Sequence, residues 1–209
     1  QFAEFHDRPQ RWAIIVAHRR AGKTVACVAD LVIAGAAAKG QRLAYVAPFY
    51  TQAKDVAWGY VKQLTQDFPG TEYNESELRA DFSNGSRIGL DGVVLDEFAD
   101  FDPRAWPEVI RPALAESQGW AVFIGTPRGH NEFYDTWVNA RKVENHGEWY
   151  SLMLKASLTS VLPAWELEAN RKMMSDDQYA QEFECSFDAA ILGAYYAKDI
   201  NIAEAEGRL

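Results

Sequence analysis

The segment Ala17-His18-Arg19-Arg20-Ala21-Gly22-Lys23-Thr24 constrains the fold of this chain more than any other. Before it runs Arg11 to Ala17 (RWAIIVA), which reads as a buried strand. After it comes Thr24 to Lys39, apolar on most faces and stopped as a helix by Gly40. A strand that delivers such a turn to a helix N-terminus makes a phosphate cradle. The backbone N–H groups of Ala17, His18, Arg19, Arg20, Ala21 and Gly22 wrap anionic oxygens, and the positive end of the helix faces the same charge. Lys23 is expected to bridge β- and γ-phosphates and the Thr24 hydroxyl to ligate Mg²⁺. Ala17 stands where the usual pattern has its first glycine.

Two arginines inside the loop leave alternatives open. Either Arg19 or Arg20 reaches the γ-phosphate and stabilises its transition-state charge, or each forms a surface ion pair with an acid. His18 reads as a loop filler rather than a catalyst.

Further strands and helices alternate along the chain. Arg42 to Pro48 is a second strand, Thr51 to Phe68 has helical spacing, and Pro69-Gly70 ends it. Leu78 to Phe82 and Arg87 to Leu90 flank Ser83-Asn84-Gly85-Ser86 as a β-hairpin, because Asn-Gly supplies the positive φ such a turn needs. Val93 to Leu95 is a third core strand, followed by Asp102 as N-cap and Pro103 in the first turn of a helix to about Ser117. Trp120 to Gly125 is a fourth strand, Asn131 to Lys142 a helix and Trp149 to Lys155 strand-like. After Ala156 come two short acidic helices, one opened by Pro163 and one by Ser175 with Gln178 in capping-box spacing.

This order predicts an α/β fold, a mostly parallel sheet flanked by helices. The expected organisation is a core over 1–155, a small helical subdomain over 156–190 and a tail over 191–209. The hairpin strand ending at Leu90 runs into Asp91-Gly92-Val93 without room for the crossover of about a dozen residues that parallel strands need. A segment absent between Leu90 and Asp91 is the expectation that follows.

Val93-Val94-Leu95-Asp96-Glu97 ends an apolar strand in two carboxylates at the sheet edge where α/β folds gather ligands. Asp96 is expected to hold Mg²⁺ through water and Glu97 to orient and deprotonate an attacking water, the pairing of additional-strand, glutamate-class ATPases; two acids capping a strand is the plainer alternative. Thr126, in Ile124-Gly125-Thr126-Pro127, either senses the γ-phosphate at the same edge or closes a strand-ending turn.

The net charge of −9 over 209 residues argues against a surface that is a nucleic-acid-binding plate throughout. Ten acids and four bases lie between 160 and 209, so the acidity is concentrated away from the core. Arg128, His130, Arg141 and Lys142 give one stretch a basic tint, read either as local phosphate contacts or as a solvated helix face. Trp58, Trp106, Trp137 and Trp165 are expected to pack rather than stack on bases. Cys27 and Cys185 have no metal-ligand or disulfide spacing and read as buried free thiols. The longest apolar run, Val25 to Ala38, is interrupted by Asp30 and too short to span a bilayer, and no signal peptide opens the chain, so a cytoplasmic setting without membrane is expected.

Four ordered segments, AHRRAGKT, YVAPFYTQA (Tyr45 to Ala53), GVVLDEFADFDPRAW (Gly92 to Trp106) and FIGTPRGHNEFYD (Phe123 to Asp135), resemble the large terminase subunit of tailed bacteriophages. The resemblance covers nearly the whole chain and is to the N-terminal ATPase half. It implies a RecA-like P-loop (ASCE) core with a small C-terminal helical lid, and ATP and Mg²⁺ as cofactors. The expected partners are double-stranded viral DNA, a portal protein and procapsid, a small terminase subunit, and further copies in a homo-oligomeric ring in the host cytoplasm.

By position, Arg19 matches the family's cis-acting finger or sensor, Asp96 and Glu97 its Walker B and catalytic carboxylate, and Thr126 its coupling motif. Gln1 is spaced like the adenine-reading glutamine, with Gln10 a competitor. No cluster of acidic metal ligands follows Ala194-Tyr195-Tyr196, so no nuclease activity is expected of this stretch. Some members take the arginine in trans from the loop before Walker B, which leaves the donor open. A helicase-like translocase and an ATP-dependent assembly module with little turnover are the alternative functions.

Overall fold

The computed structural model describes residues 1–49, 51 and 53–188. Helix α1 (Ala3–His6) precedes β1 (Trp12–Ala17) and α2 (Lys23–Ala37). β2 (Arg42–Val46) leads through a π-helical turn (Ala53–Ala57) into α3 (Trp58–Thr65). Next come β3 (Glu72–Asn74), β4 (Arg79–Asp81) and β5 (Arg87–Asp96), then a π-helical turn (Ala105–Ile110) running into α4 (Arg111–Ser117). β6 (Trp120–Gly125), α5 (Glu132–Ala140) and β7 (Trp149–Leu154) follow, and the described chain closes with α6 (Ala156–Thr159), α7 (Ala164–Met173) and α8 (Asp176–Glu182).

Seven strands among the described residues form one sheet in the order β3-β4-β5-β6-β1-β7, with β2 also on β5. β2, β5, β6, β1 and β7 are mutually parallel, and β3 and β4 add an antiparallel extension. Parallel strands are buried on both faces, which is why β1 is an unbroken apolar run. Trp12, Ile14 and Val16 face one core layer with Leu95, Phe123, Phe133 and Trp137, while Ala13, Ile15 and Ala17 face the other with Cys27, Leu31, Val94 and Ile124. β6 lies between β1 and β5, which is the additional strand of the RecA-like ASCE arrangement.

Two sequence expectations change in the structure. The hairpin's second strand and the core strand are one element: β5 runs unbroken from Arg87 to Asp96, so no crossover separates them. Its start pairs antiparallel with β4 at Arg87, and its end lies between β2 and β6. The register with β2 breaks across the same stretch, with Arg42 opposite Arg87 and Leu43 opposite Gly92. The helix expected from Asp102 starts later, because the Asp102 carboxylate accepts the Arg104 N–H at 2.9 Å in a local turn before the π-helical segment.

The Asn-Gly hairpin closes as expected, with Gly85 at φ 83° and the Phe82 N–H donating to Ser86 at 2.8 Å. Ser175 and Gln178 form the reciprocal capping box of α8. Cys27 and Cys185 are buried free thiols. Trp58 and Trp137 are buried and Trp106 packs on the core, but Trp165 stands 71% exposed on α7. The 191–209 tail lies outside the described residues, and no described helix is long and apolar enough to cross a membrane.

The N-terminal segment is fastened to α2 by a buried ion pair. The Arg8 guanidinium donates to both oxygens of Asp30, at 3.1 and 2.8 Å, and lies 4.2 Å above the ring of buried Phe5. His6 adds a contact to the same carboxylate at 3.1 Å. This attachment brings the start of the chain alongside the helix that carries Lys23 and Thr24.

Candidate nucleotide site

The loop between β1 and α2 curls because two residues take left-handed backbone: Arg20 at φ 67° and Gly22 at φ 84°. A side chain is strained in that region, which is where glycine is used, so Gly22 ahead of the helix is a conformational requirement. The first turn of α2 leaves its amides without intrahelical partners, and no side chain of the N-cap residue takes them up.

Lys23 Nζ lies 3.4 Å from Glu97 Oε1, and both side chains are largely shielded. Glu97 is itself left-handed at φ 53°, the corner where β5 turns into a short 3-10 segment (Phe98–Asp100). Asp96 is buried, and its carboxylate accepts the Tyr45 hydroxyl and, at 2.9 Å, the Glu97 N–H. Burial pushes the Asp96 carboxyl above the ordinary range, with the charge of Glu97 adding and the Tyr45 bond and Lys23 opposing. Burial, then Asp96, pushes the Tyr45 hydroxyl far up, so it stays protonated and donates.

The Thr24 hydroxyl lies close enough to that of Tyr45 to oppose this rise. Tyr45 therefore joins the two oxygen donors, Thr24 and Asp96, in one cluster. Hard oxygen donors so placed fit the demands of Mg²⁺, which binds through a few such ligands and keeps several waters.

The register of Asp96 opposite Ile124, and of Val16 opposite Gly125, puts buried Thr126 at the same sheet edge. The loop that follows is tied to the turn after Glu97: Asn131 Nδ2 donates to the Ala99 carbonyl at 3.3 Å, and Arg128 Nε lies 3.3 Å from Asp100. Asn131 also caps α5 through the N–H groups of Phe133 and Tyr134. The basic tint of this stretch is met locally, since His130 pairs with Asp188 at 2.7 Å and Arg141 lies over Trp137.

Arg19 and Arg20 are exposed, and they line a small cavity with Glu166 and Asn170 of α7. Arg19 donates through Nε to Glu182 of α8 at 2.9 Å, and its N–H donates to the Glu182 carbonyl at 3.0 Å. The ion-pair alternative is thus the one seen for Arg19. Gln1 Nε2 donates to the Thr159 carbonyl at 2.6 Å, beside the loop, because the Thr159 hydroxyl meets His18. Gln10 instead meets the carbonyl of His146, just before β7 and at the opposite end of the sheet.

Sequence reasoning missed Tyr45, Glu182 and Thr159. Tyr45 carried a signal, a phenol at the end of a strand expected to lie in the same sheet as Asp96. Glu182 and Thr159 carried none.

The sheet order and the loop between β1 and α2 together define a P-loop fold of the RecA-like, additional-strand class. No family model matches the sequence. Over 151 residues, 56% of this chain, it is 31% identical to the terminase large subunits of Thermus virus P23-45 and Thermus phage G20c, covering 31% of each. The chain thus spans about a third of the length of the curated relatives it matches. A mutant large terminase ATPase domain of Thermus phage P74-26 superposes with a TM-score of 0.75 at 23% identity, over 88% of this chain and 91% of that one. The large terminase of a thermophilic bacteriophage in complex with ATP-gamma-S gives 0.72 at 13% identity, over 85% and 48%. The chain is similar to phage terminase large subunits over that stretch, and its fold is that of the terminase ATPase domains.

Proposed function

We propose that this chain is an ATP-hydrolysing domain of a phage DNA-packaging motor, acting in the host cytoplasm. The observation that carries the reading is Lys23 held against Glu97 across the loop edge, with Asp96 bonded to Tyr45 beside them. Lys23 and the amides of Arg20, Gly22 and the first turn of α2 bind the phosphates of ATP, whereas the amides of His18, Arg19 and Ala21, expected in the cradle, donate instead to the carbonyls of Leu154, Glu182 and His18. When Lys23 turns to the β- and γ-phosphates, Glu97 is released to accept a proton from an attacking water. Arg19 leaves Glu182 to neutralise charge developing on the γ-phosphate.

Thr24 and Asp96 would hold Mg²⁺, which when bound supplies charge neutralisation on the phosphates. Gln1 reads adenine through its amide, and Thr126 registers loss of the γ-phosphate. The tie from Asn131 to Ala99 carries that change into the turn after Glu97.

The helices of 156–190 act as a lid whose shift against the core is the mechanical output. Double-stranded DNA, a portal and procapsid, a small terminase subunit and a ring of like chains are the partners this reading requires. Replacing Glu97 by alanine tests it: ATP still binds, while turnover falls by about 10²- to 10⁴-fold, the scale of general-base catalysis. Unchanged turnover removes Glu97 from the mechanism and leaves an assembly module with little hydrolysis as the better reading.

A further inference from the structure

His18 is fully buried in a loop whose neighbouring arginines are exposed, and the hydrolysis chemistry makes no use of its ring. Both ring nitrogens are engaged. Nδ1 lies 2.7 Å from the Arg19 carbonyl oxygen, which only accepts, so Nδ1 carries a hydrogen. Nε2 lies 2.8 Å from Thr159 Oγ1. Burial holds the ring below the ordinary histidine range, so the neutral form prevails and Nε2 accepts the Thr159 hydroxyl. The backbone is fixed as well, because the His18 N–H donates to the Leu154 carbonyl at 2.9 Å.

The consequence lies in the next peptide. In a trans peptide the carbonyl of one residue and the N–H of the next point in opposite directions. Holding the Arg19 carbonyl on His18 therefore turns the Arg20 N–H away from the buried ring. Arg20 itself takes the left-handed conformation, of the kind that curls successive amides into an anion-binding nest. The far side of the ring is held by Thr159, the last residue of α6, whose carbonyl also receives the Gln1 amide.

We infer that His18 is a positioning residue for nucleotide binding, locked by Thr159 so that the Arg19–Arg20 peptide keeps the orientation that presents the Arg20 N–H to phosphate. The inference rests on the ATPase reading and adds to it a residue pair, His18 and Thr159, that links the phosphate loop to the start of the C-terminal helices.

The test is T159V, which removes only the hydroxyl, alongside H18N, whose amide still reaches the Arg19 carbonyl but not Thr159. Dissociation constants for ATP-gamma-S with Mg²⁺, steady-state KM and kcat, and thermal unfolding are measured on the full chain. Both variants are expected to weaken nucleotide binding about fivefold to tenfold, as loss of one buried hydrogen bond does, with kcat within about twofold. The H18N/T159V double variant is expected to be no weaker than either single one, since both cut the same link. H18Q, whose longer amide reaches Thr159, is expected to recover most of the affinity.

Wild-type affinity in T159V and H18N overturns the inference, and so does a loss confined to unfolding temperature. Independent losses in the double variant overturn the link. A wild-type chain that binds no nucleotide overturns the ATPase reading and this inference with it. If H18N fails to fold, T159V alone still decides.

Discussion

Lys23 and Glu97 meet at 3.4 Å across the end of the sheet, each the other's charge partner. On the proposed function, a phosphate entering the loop competes with Glu97 for Lys23, so binding and activation of the carboxylate become one exchange of partners. Lys23→Ala is expected to weaken ATP binding at least about tenfold, because charge-assisted hydrogen bonds to phosphate are lost. Unfolding by urea is expected to move toward lower stability, since Glu97, itself largely shielded, loses its charge partner. Calorimetric titration with ATP checks the first, and binding as tight as wild type would remove Lys23 from the site.

Arg19 has a partner on α8, 163 positions away, that no local pattern announced. Two substitutions separate its possible roles. Arg19→Ala and Glu182→Gln both break the ion pair, which is exposed on the arginine side and contributes about 0–1 kcal/mol to stability. Only Arg19→Ala is expected to lower kcat, by about 10³-fold if the guanidinium acts as a finger, with little change in KM. Equal kcat in the two variants would confine Arg19 to the ion pair.

The difference between what was readable and what was not follows from sequence separation. β1, β6 and the Ser175 capping box were legible because their signals are local: an apolar run, a strand bounded by turns, and a reciprocal pair three residues apart. The carboxylate pair was legible because Asp96 and Glu97 sit at the end of an apolar strand. Tyr45 between Thr24 and Asp96, Glu182 on Arg19 and Thr159 on His18 were not, because each depends on how distant elements pack. The exposure of Trp165 escaped for the same reason, since helical spacing does not say whether a neighbour covers the face. β5 was split in two because the sequence could not show one strand pairing antiparallel at its start and parallel at its end.

Arg8 and Asp30 form a pair in which each side chain is less than a tenth exposed, beneath the ring of Trp120 as well as on Phe5. Removing one partner leaves the other charge buried without compensation. Asp30→Ala is expected to destabilise the fold by about 3–5 kcal/mol, and the paired substitution Asp30→Leu with Arg8→Met by much less. Urea denaturation of both variants checks this. A single-variant loss below about 1 kcal/mol would show that the Arg8 segment detaches without strain.

The burial of His18 gives stability a pH dependence whose sign is fixed. In the unfolded chain the ring titrates near its ordinary 6.5, and in the folded chain lower, because burial and Lys23 oppose the charge more than Glu184 and the Arg19 carbonyl favour it. Between those two values the unfolded chain binds more protons, so stability is full above about 6.5 and falls as the pH drops toward the depressed value. The slope from this one group is at most about 1.4 kcal/mol per pH unit. Asp96 acts oppositely, since its raised carboxyl pKa favours the folded state as pH falls toward the ordinary carboxylate range. Comparing wild type with His18→Gln isolates the histidine, because Asp96 is common to both. Urea melts from pH 7.5 to 5 are expected to show a steeper loss in wild type than in the glutamine variant. Parallel curves would mean that the ring is protonated as readily in the folded chain as in the unfolded one.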